Sequence, residues 1–246
     1  MSVSVKTGSV APPDLGLTQC EELKDDNEKA RTELTKTLEE KQATSGLNAD
    51  EAIVLDKARG TGMTFSSASS GLKKASGSFC ACSSGAAHEK NPDTAVGGGS
   101  GPQKMGLNKT IRQSDDHAHD DAKEAAGVLC DKSYVHPGGG AGAHAEPKIV
   151  NHLTNLVGAD NMRGGSLLFN IDWRSKTYGR SGMPCQHCFK MLCHAAKECD
   201  IRIFICSHDN QAVELSKDDC EDDEAYANLS TRVDGGAVPG RPASAH

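Results

Sequence analysis

The second half of this chain predicts an α/β fold in which two helices pack on one face of a mixed sheet. Three observations carry that reading. Two stretches predict helices, 145–157 with an apolar face at helical spacing and 184–198 opened by Pro184, and each opens on a cluster of His, Glu or Cys. Two short apolar runs, 166–173 and 201–206, have the length and polarity of buried strands. The stretch before them, 61–110, is rich in Gly, Ser and Ala and reads as a linker.

The elements follow in order. Residues 1–16 are polar, with Pro12-Pro13, and predict disorder. Residues 17–43 are rich in Glu, Lys and Leu, with Leu23, Ala30, Leu34 and Leu38 on one stripe, so a helix is expected. Asn48 or Asp50 is placed to cap a second helix ending at Gly60. Residues 1–60 are therefore a helical N-terminal segment, a candidate delivery region, with a domain boundary near 110. Within 111–235, residues 114–126 predict a helix capped by Ser114. Val128-Leu129-Cys130 and Ser133-Tyr134-Val135 predict a hairpin, and Gly138-Gly139-Gly140 a flexible approach to His144. A polar loop is expected over 174–183, a turn at 207–210, a weaker strand at 211–215 and a disordered tail at 236–246.

Composition narrows the possibilities. A length of 246 residues allows one or two domains, and 4% aromatics with 26 Gly argue against one core spanning the whole chain. The net charge is −7. Asp209, Glu214, Asp218, Asp219, Glu221, Asp222, Asp223 and Glu224, with Lys217, account for all of it. The remainder is balanced, so global charge offers no support for non-specific nucleic-acid binding. Ten cysteines are scattered through the chain, there is no basic-then-apolar leader, and no apolar run is long enough to span a membrane. The simplest expectation is mostly free thiols in a reducing cytosol, with Cys193, Cys199 and Cys206 as small buried apolar groups.

The chemistry lies in two motifs. His144-Ala145-Glu146 and Pro184-Cys185-Gln186-His187-Cys188 together supply one His and two Cys ligands and one carboxylate. A catalytic zinc keeps three protein ligands and leaves a fourth position open. Each motif opens a helix, where unpaired amides and the dipole favour thiolates. The two residues between Cys185 and Cys188 let both sulfurs meet one ion across a single turn. Thirty-seven residues separate Glu146 from Pro184, room for a helix, a strand and a loop that bring both helix starts to one sheet edge. A CxxC pair alone is commonly a structural zinc knuckle or a redox pair. The combination with His-x-Glu, the preceding Pro and the intervening strand predicts catalytic Zn2+ held by His144, Cys185 and Cys188, with Glu146 as proton shuttle.

Residues 144–146 with 184–188 resemble the cytidine deaminase superfamily. The layout of 114–233 is similar to the deaminase domains at the C-termini of bacterial polymorphic toxins. That resemblance implies a cytidine deaminase-like three-layer sandwich, one zinc, and hydrolysis of an exocyclic amine on a nucleobase, often cytosine in DNA or RNA. It carries over His144, Cys185 and Cys188 as ligands and Glu146 as general acid and base. It further implies a toxin made in the bacterial cytoplasm and exported by a non-Sec route into a target cell, with a cognate immunity protein as partner. A duplex base cannot reach such a zinc, so a single-stranded or flipped base is required.

Arg174, Lys176, Tyr178 and Arg180 precede Pro184 and are candidate substrate contacts, to phosphate and by stacking on a base; the competing reading is a solvated polar loop. Trp173 either walls the pocket or packs in the core. Asn170 is expected to be buried with a backbone partner, and His187 to face solvent or the pocket rim. His117 and His119 fit a solvated helical turn better than a metal site. Cys80 and Cys82 are too close for an unstrained local disulfide and, with His88, offer a remote second metal site. The acidic stretch 218–224 reads as solvated, or as steering for a basic partner. Two alternatives stand beside the nucleic-acid deaminase: a deaminase of a free nucleoside or nucleotide, which the acidic C-terminal region favours, and a non-catalytic zinc-binding interaction module.

Overall fold

A computed structural model of the chain describes residues 19–83, 103–104, 128–129, 132–133, 144–221 and 224–235. The expectations for residues 1–16, the helix at 114–126, the glycines at 138–140, His88, His117, His119 and the tail at 236–246 lie outside the described residues.

The N-terminal helical hairpin forms as the stripe and caps predict. Helix α1, Cys20–Thr44, buries Leu23, Asn27, Ala30, Arg31, Leu34 and Leu38 on one face. Glu21 and Glu22 in its first turn and Lys41 in its last complement the helix dipole. Helix α2, Ala49–Arg59, starts at a reciprocal capping box between Asn48 and Glu51 and stops at Gly60.

Strand β1, Phe65–Leu72, and strand β2, Ala75–Cys82, form an antiparallel hairpin across Lys73-Lys74. They lie where linker composition is expected, and that expectation is corrected for these residues. Composition misleads here because β1 is covered on both faces, so it shows no polar alternation. Ser66, Ser67, Ser69 and Ser70 are 0% exposed. Strand β3, Gln103–Lys104, pairs in parallel with β2. Strands β4, Val128–Leu129, and β5, Lys132–Ser133, form the expected hairpin as a separate two-stranded sheet.

Helix α3, Ala145–Val157, and the single turn α4, Ala159–Met162, lead into the central strand β6, Ser166–Ser175. The expected polar loop after it is a β-hairpin: β7, Gly179–Ser181, folds back onto β6 in the register Trp173↔Ser181. Gly179 has φ +77°, which a side chain would oppose. Helix α5, Gln186–Glu198, crosses to β8, Arg202–Cys206, and β9, Ala212–Leu215, completes the sheet. Helix α6, Ala225–Asp234, follows a short 3-10 turn, Asp218–Cys220.

The main sheet has the order β3-β2-β1-β6-β8-β9, with β7 attached to β6. It is mixed: β6 runs antiparallel to β1 and parallel to β8, and β9 is antiparallel to β8. Alternation along β6 sorts the layers. Leu167, Phe169 and Ile171 pack in a core with Ile149 and Leu153 of α3, Leu192 and Ala195 of α5, and Leu229 and Val233 of α6. Leu168 packs on the other face with Leu23 of α1, and Asn170 and Asp172 bond to α1 there. Helices thus cover both faces, and the second layer comes from the N-terminal segment rather than from residues after 110. Among the described residues no helix is long and apolar enough to cross a membrane.

The cysteines depart from the free-thiol expectation. Cys20–Cys206 ties the start of α1 to the end of β8, and Cys193–Cys220 ties α5 to the 3-10 turn before α6. Cys199 is disulfide-bonded as well. Sequence spacing does not determine such pairings. Cys80, Cys82, Cys185 and Cys188 stand outside these disulfides, in keeping with the close spacing of the first two.

Candidate metal centre

His144 is the N-cap of α3 and Cys185 the N-cap of α5, each with extended backbone. Capping puts both side chains at the mouths of the helices rather than along their flanks. Cys188 lies one turn further, and its amide points back at Cys185 Sγ at 3.5 Å. The tertiary fold brings these ends together: His144 Nδ1 is 3.2 Å from Cys188 Sγ and 3.3 Å from Cys185 Sγ. All three ligand atoms lie within 4.8 Å of one another. Ideal tetrahedral zinc, with Zn–S near 2.3 Å and Zn–N near 2.05 Å, sets its sulfur and nitrogen donors about 3.5 Å apart. The donor set therefore fits a zinc-type ion in both chemistry and spacing.

The site is dry. His144 is 7% exposed, Cys185 1%, and Cys188 and Glu146 0%. Cys185 is nevertheless held as a thiolate, its pKa lowered to about 3. The hydrogen bond from the Cys188 thiol does most of this, His144 and the Cys188 amide add to it, and burial opposes it. Glu146, two residues into the same turn as His144, aims its Oε2 at Cys188 Sγ at 3.7 Å. A carboxylate thus stands beside the donors without being needed as a fourth ligand.

The four residues expected to contact substrate sit differently. Arg174 and Arg180 both engage Asp172, at 2.8 and 2.9 Å, and both engage Glu28 of α1, at 2.6 and 2.9 Å. Arg31 reaches the same carboxylate at 2.8 Å. Burial pushes the Asp172 carboxyl up, but the Arg174 hydrogen bond and the charges of Arg31, Arg174 and Arg180 outweigh it and hold the pKa below the ordinary value. Burial likewise opposes the charge on Arg174, and its bond to Asp172 reverses the sign. Lys176 is at the exposed tip of the β6–β7 hairpin. Tyr178 stacks on Trp173 with ring centres 6.2 Å apart, and Trp173 is itself buried. These contacts of the two arginines join the N-terminal helix to the central strand.

Asn170 is buried as expected, but its partner is a side chain: its carbonyl and Oδ1 both accept from Asn27 Nδ2 at 2.9 Å. Asn27 and Arg31 escaped the sequence reading, although two polar residues on the apolar stripe of α1 were a usable signal. A cavity of about 170 Å³ lies beside the middle of β6 and the carboxyl end of β8, bordered by Lys24, Asn170, Arg180, Gly182, His208 and Asp234. It lies beside the segment leading to Cys185 rather than over the donors.

The chain matches no family model, no curated protein and no solved structure.

Proposed function

We propose that the chain is a zinc-dependent hydrolytic deaminase of a nucleobase, acting on cytosine in nucleic acid as a bacterial toxin. One observation carries the reading: His144, Cys185 and Cys188 converge on a point that Glu146 overlooks from the same helix end as the histidine. The order of elements supports the deaminase-like form of the fold, with a hairpin, helix, strand, helix and two further strands, and both motif-bearing helices on one face.

Zinc held by these donors supplies the Lewis acidity that makes a water nucleophilic near neutral pH. The chain's own residues do the rest. His144, Cys185 and Cys188 fix the ion. Glu146, excluded from solvent, takes a proton from the attacking water and passes it to the ring nitrogen. It then takes the remaining proton from the hydroxyl newly bonded to the ring carbon and delivers it to the departing amine. The C–N bond breaks, a C–O bond forms, and ammonia and the oxo base leave. Burial of the donors requires a single-stranded or flipped base. Disulfides persist in oxidising compartments, which fits a protein that works outside its producer's cytosol. A cognate immunity protein would occlude the site.

A second reading keeps the chemistry and changes the substrate to a free nucleoside or nucleotide. It is favoured by the engagement of Arg174 and Arg180 with Glu28 and Asp172, which removes them as obvious phosphate contacts. The test is to express the chain and a Glu146→Ala variant in a host lacking uracil repair and to sequence DNA and RNA. Cytosine-to-thymine changes that need Glu146 support the first reading. Their absence, with ammonia released from free cytidine, supports the second. Absence of both, with zinc still bound, leaves only the non-catalytic zinc module.

A further inference from the structure

The segment 181–184, which delivers Cys185 to the metal centre, is held from outside the two motifs. Asp234, the last residue of α6, is 9% exposed. Its Oδ2 accepts from Ser181 Oγ at 2.6 Å and its Oδ1 from the Gly182 amide at 2.9 Å. Ser181 Oγ in turn accepts from the Met183 amide at 3.0 Å, so one carboxylate orients three consecutive residues. At the other end of α6, Tyr226 Oη donates to the Pro184 carbonyl at 2.8 Å. The Tyr226 ring also meets Phe189, next to Cys188, edge-on at 5.4 Å. The fit leaves little slack: a Cβ on Gly182 would come within 3.1 Å of both the Cys206 carbonyl and a Val233 methyl.

From these contacts we infer that α6 sets the position of the cysteine ligands, with Asp234 and Tyr226 as positioning residues that touch neither substrate nor metal. This rests on the metal-centre reading given above. The physical reason is tolerance. A tetrahedral ion accepts donor shifts of only a few tenths of an ångström. Cys185 is the N-cap of α5: its carbonyl accepts from the Phe189 amide at 2.8 Å, but its own helix does not fix the backbone leading into it. Bonds to the residues just before it must do so, and four of them come directly or through Ser181 from α6. Outer contacts of this kind change metal affinity by about 10- to 100-fold when removed.

The test uses the full oxidised chain. Zn2+ affinity is measured by chelator competition, and Co2+ is added as a spectroscopic probe of a tetrahedral sulfur-nitrogen site. Asp234→Ala is expected to weaken Zn2+ binding by about 10- to 100-fold and to reduce the intensity of the Co2+ visible bands; Tyr226→Phe, which removes one oxygen, by about tenfold. Asp234→Asn can still bond Gly182 and Ser181, and should recover affinity to within about threefold of the parent. Arg232→Ala is the control: it loosens α6 from Glu214 and Asp219 without touching 181–184. Unchanged affinity and spectrum in Tyr226→Phe together with Asp234→Ala would overturn the inference, as would an equal loss in Arg232→Ala. If Asp234→Ala does not fold, Tyr226→Phe decides: a loss of about tenfold supports the inference, and affinity equal to the parent's overturns it. A parent chain that binds neither ion refutes the metal centre itself, a different result from a parent that binds and variants that do not differ.

Discussion

Glu146 Oε2 lies 3.7 Å from Cys188 Sγ, with both residues 0% exposed. A carboxylate so placed shares the donors' enclosure and is available for proton transfer. Replacing it separates the two roles of the site. Glu146→Gln should retain one bound zinc and lose about 10²- to 10⁴-fold in turnover, the range that general acid-base catalysis contributes. Metal analysis and ammonia release on one preparation check this. Turnover within twofold of the parent would end the proton-shuttle role.

Each donor should be needed for the ion. His144→Ala and Cys188→Ser are expected to lower zinc content well below one per chain. Chelator treatment of the parent should abolish activity, and added Zn2+ should restore it. Because Cys185 is held as a thiolate at a pKa of about 3, a change in its own protonation should not limit zinc loading at pH 6 and above.

Asp172 gathers Arg31, Arg174 and Arg180, and two of those also meet Glu28 of α1. Removing the shared acceptor leaves Arg31 charged and 7% exposed by its side chain. Asp172→Ala should therefore cost about 3 kcal/mol in urea unfolding, at the low end for a broken buried pair. Loss below about 0.5 kcal/mol would mean the cluster contributes little to stability.

The same carboxyl predicts a dependence on pH. Its folded pKa lies below the ordinary 3.8. A depressed carboxyl pKa gives stability that is fully present above the unfolded value and is lost as pH falls through the folded one. Urea midpoints should thus hold down to about pH 5 and decline below about pH 4, and Asp172→Asn should flatten that decline. A decline of the same steepness in the variant would assign it to other carboxylates.

Cys20–Cys206 closes a loop with a sequence separation of 186 residues. Chain entropy for a loop of that size gives an upper bound of about 5 kcal/mol. Cys20→Ser with Cys206→Ser, or treatment with a dithiol, should lower the thermal midpoint and release α1 from the sheet. Faster amide exchange in residues 20–44 would report it; unchanged exchange would show that the Asp172 and Asn170 contacts suffice.

The metal-ligand motifs were legible because their information is local. Pro184, the spacing of Cys185 and Cys188, and the placement of His144 and Glu146 at helix starts all lie within single turns. Strands β6, β8 and β9 were legible for a related reason, since apolar runs of strand length have few other homes. Strands β1 and β2 were not. The Ser and Ala side chains of β1 are buried where α1 and β6 meet the strand, and small residues give no hydrophobic signal before those partners arrive.

The sequence by itself determined the helices at 20–44, 49–59, 145–157 and 186–198, the central strands, and the residues of the candidate metal centre; helix α6, Ala225–Asp234, was not among its expectations. Only the tertiary structure decided which face α1 covers, which cysteines pair, and that Arg174 and Arg180 turn toward Glu28 and Asp172. The division follows range. Periodicity and capping act over a few residues, whereas the Cys20–Cys206 disulfide and the buried Arg31–Asp172 pair join positions well over a hundred residues apart, whose meeting depends on how the chain folds between them.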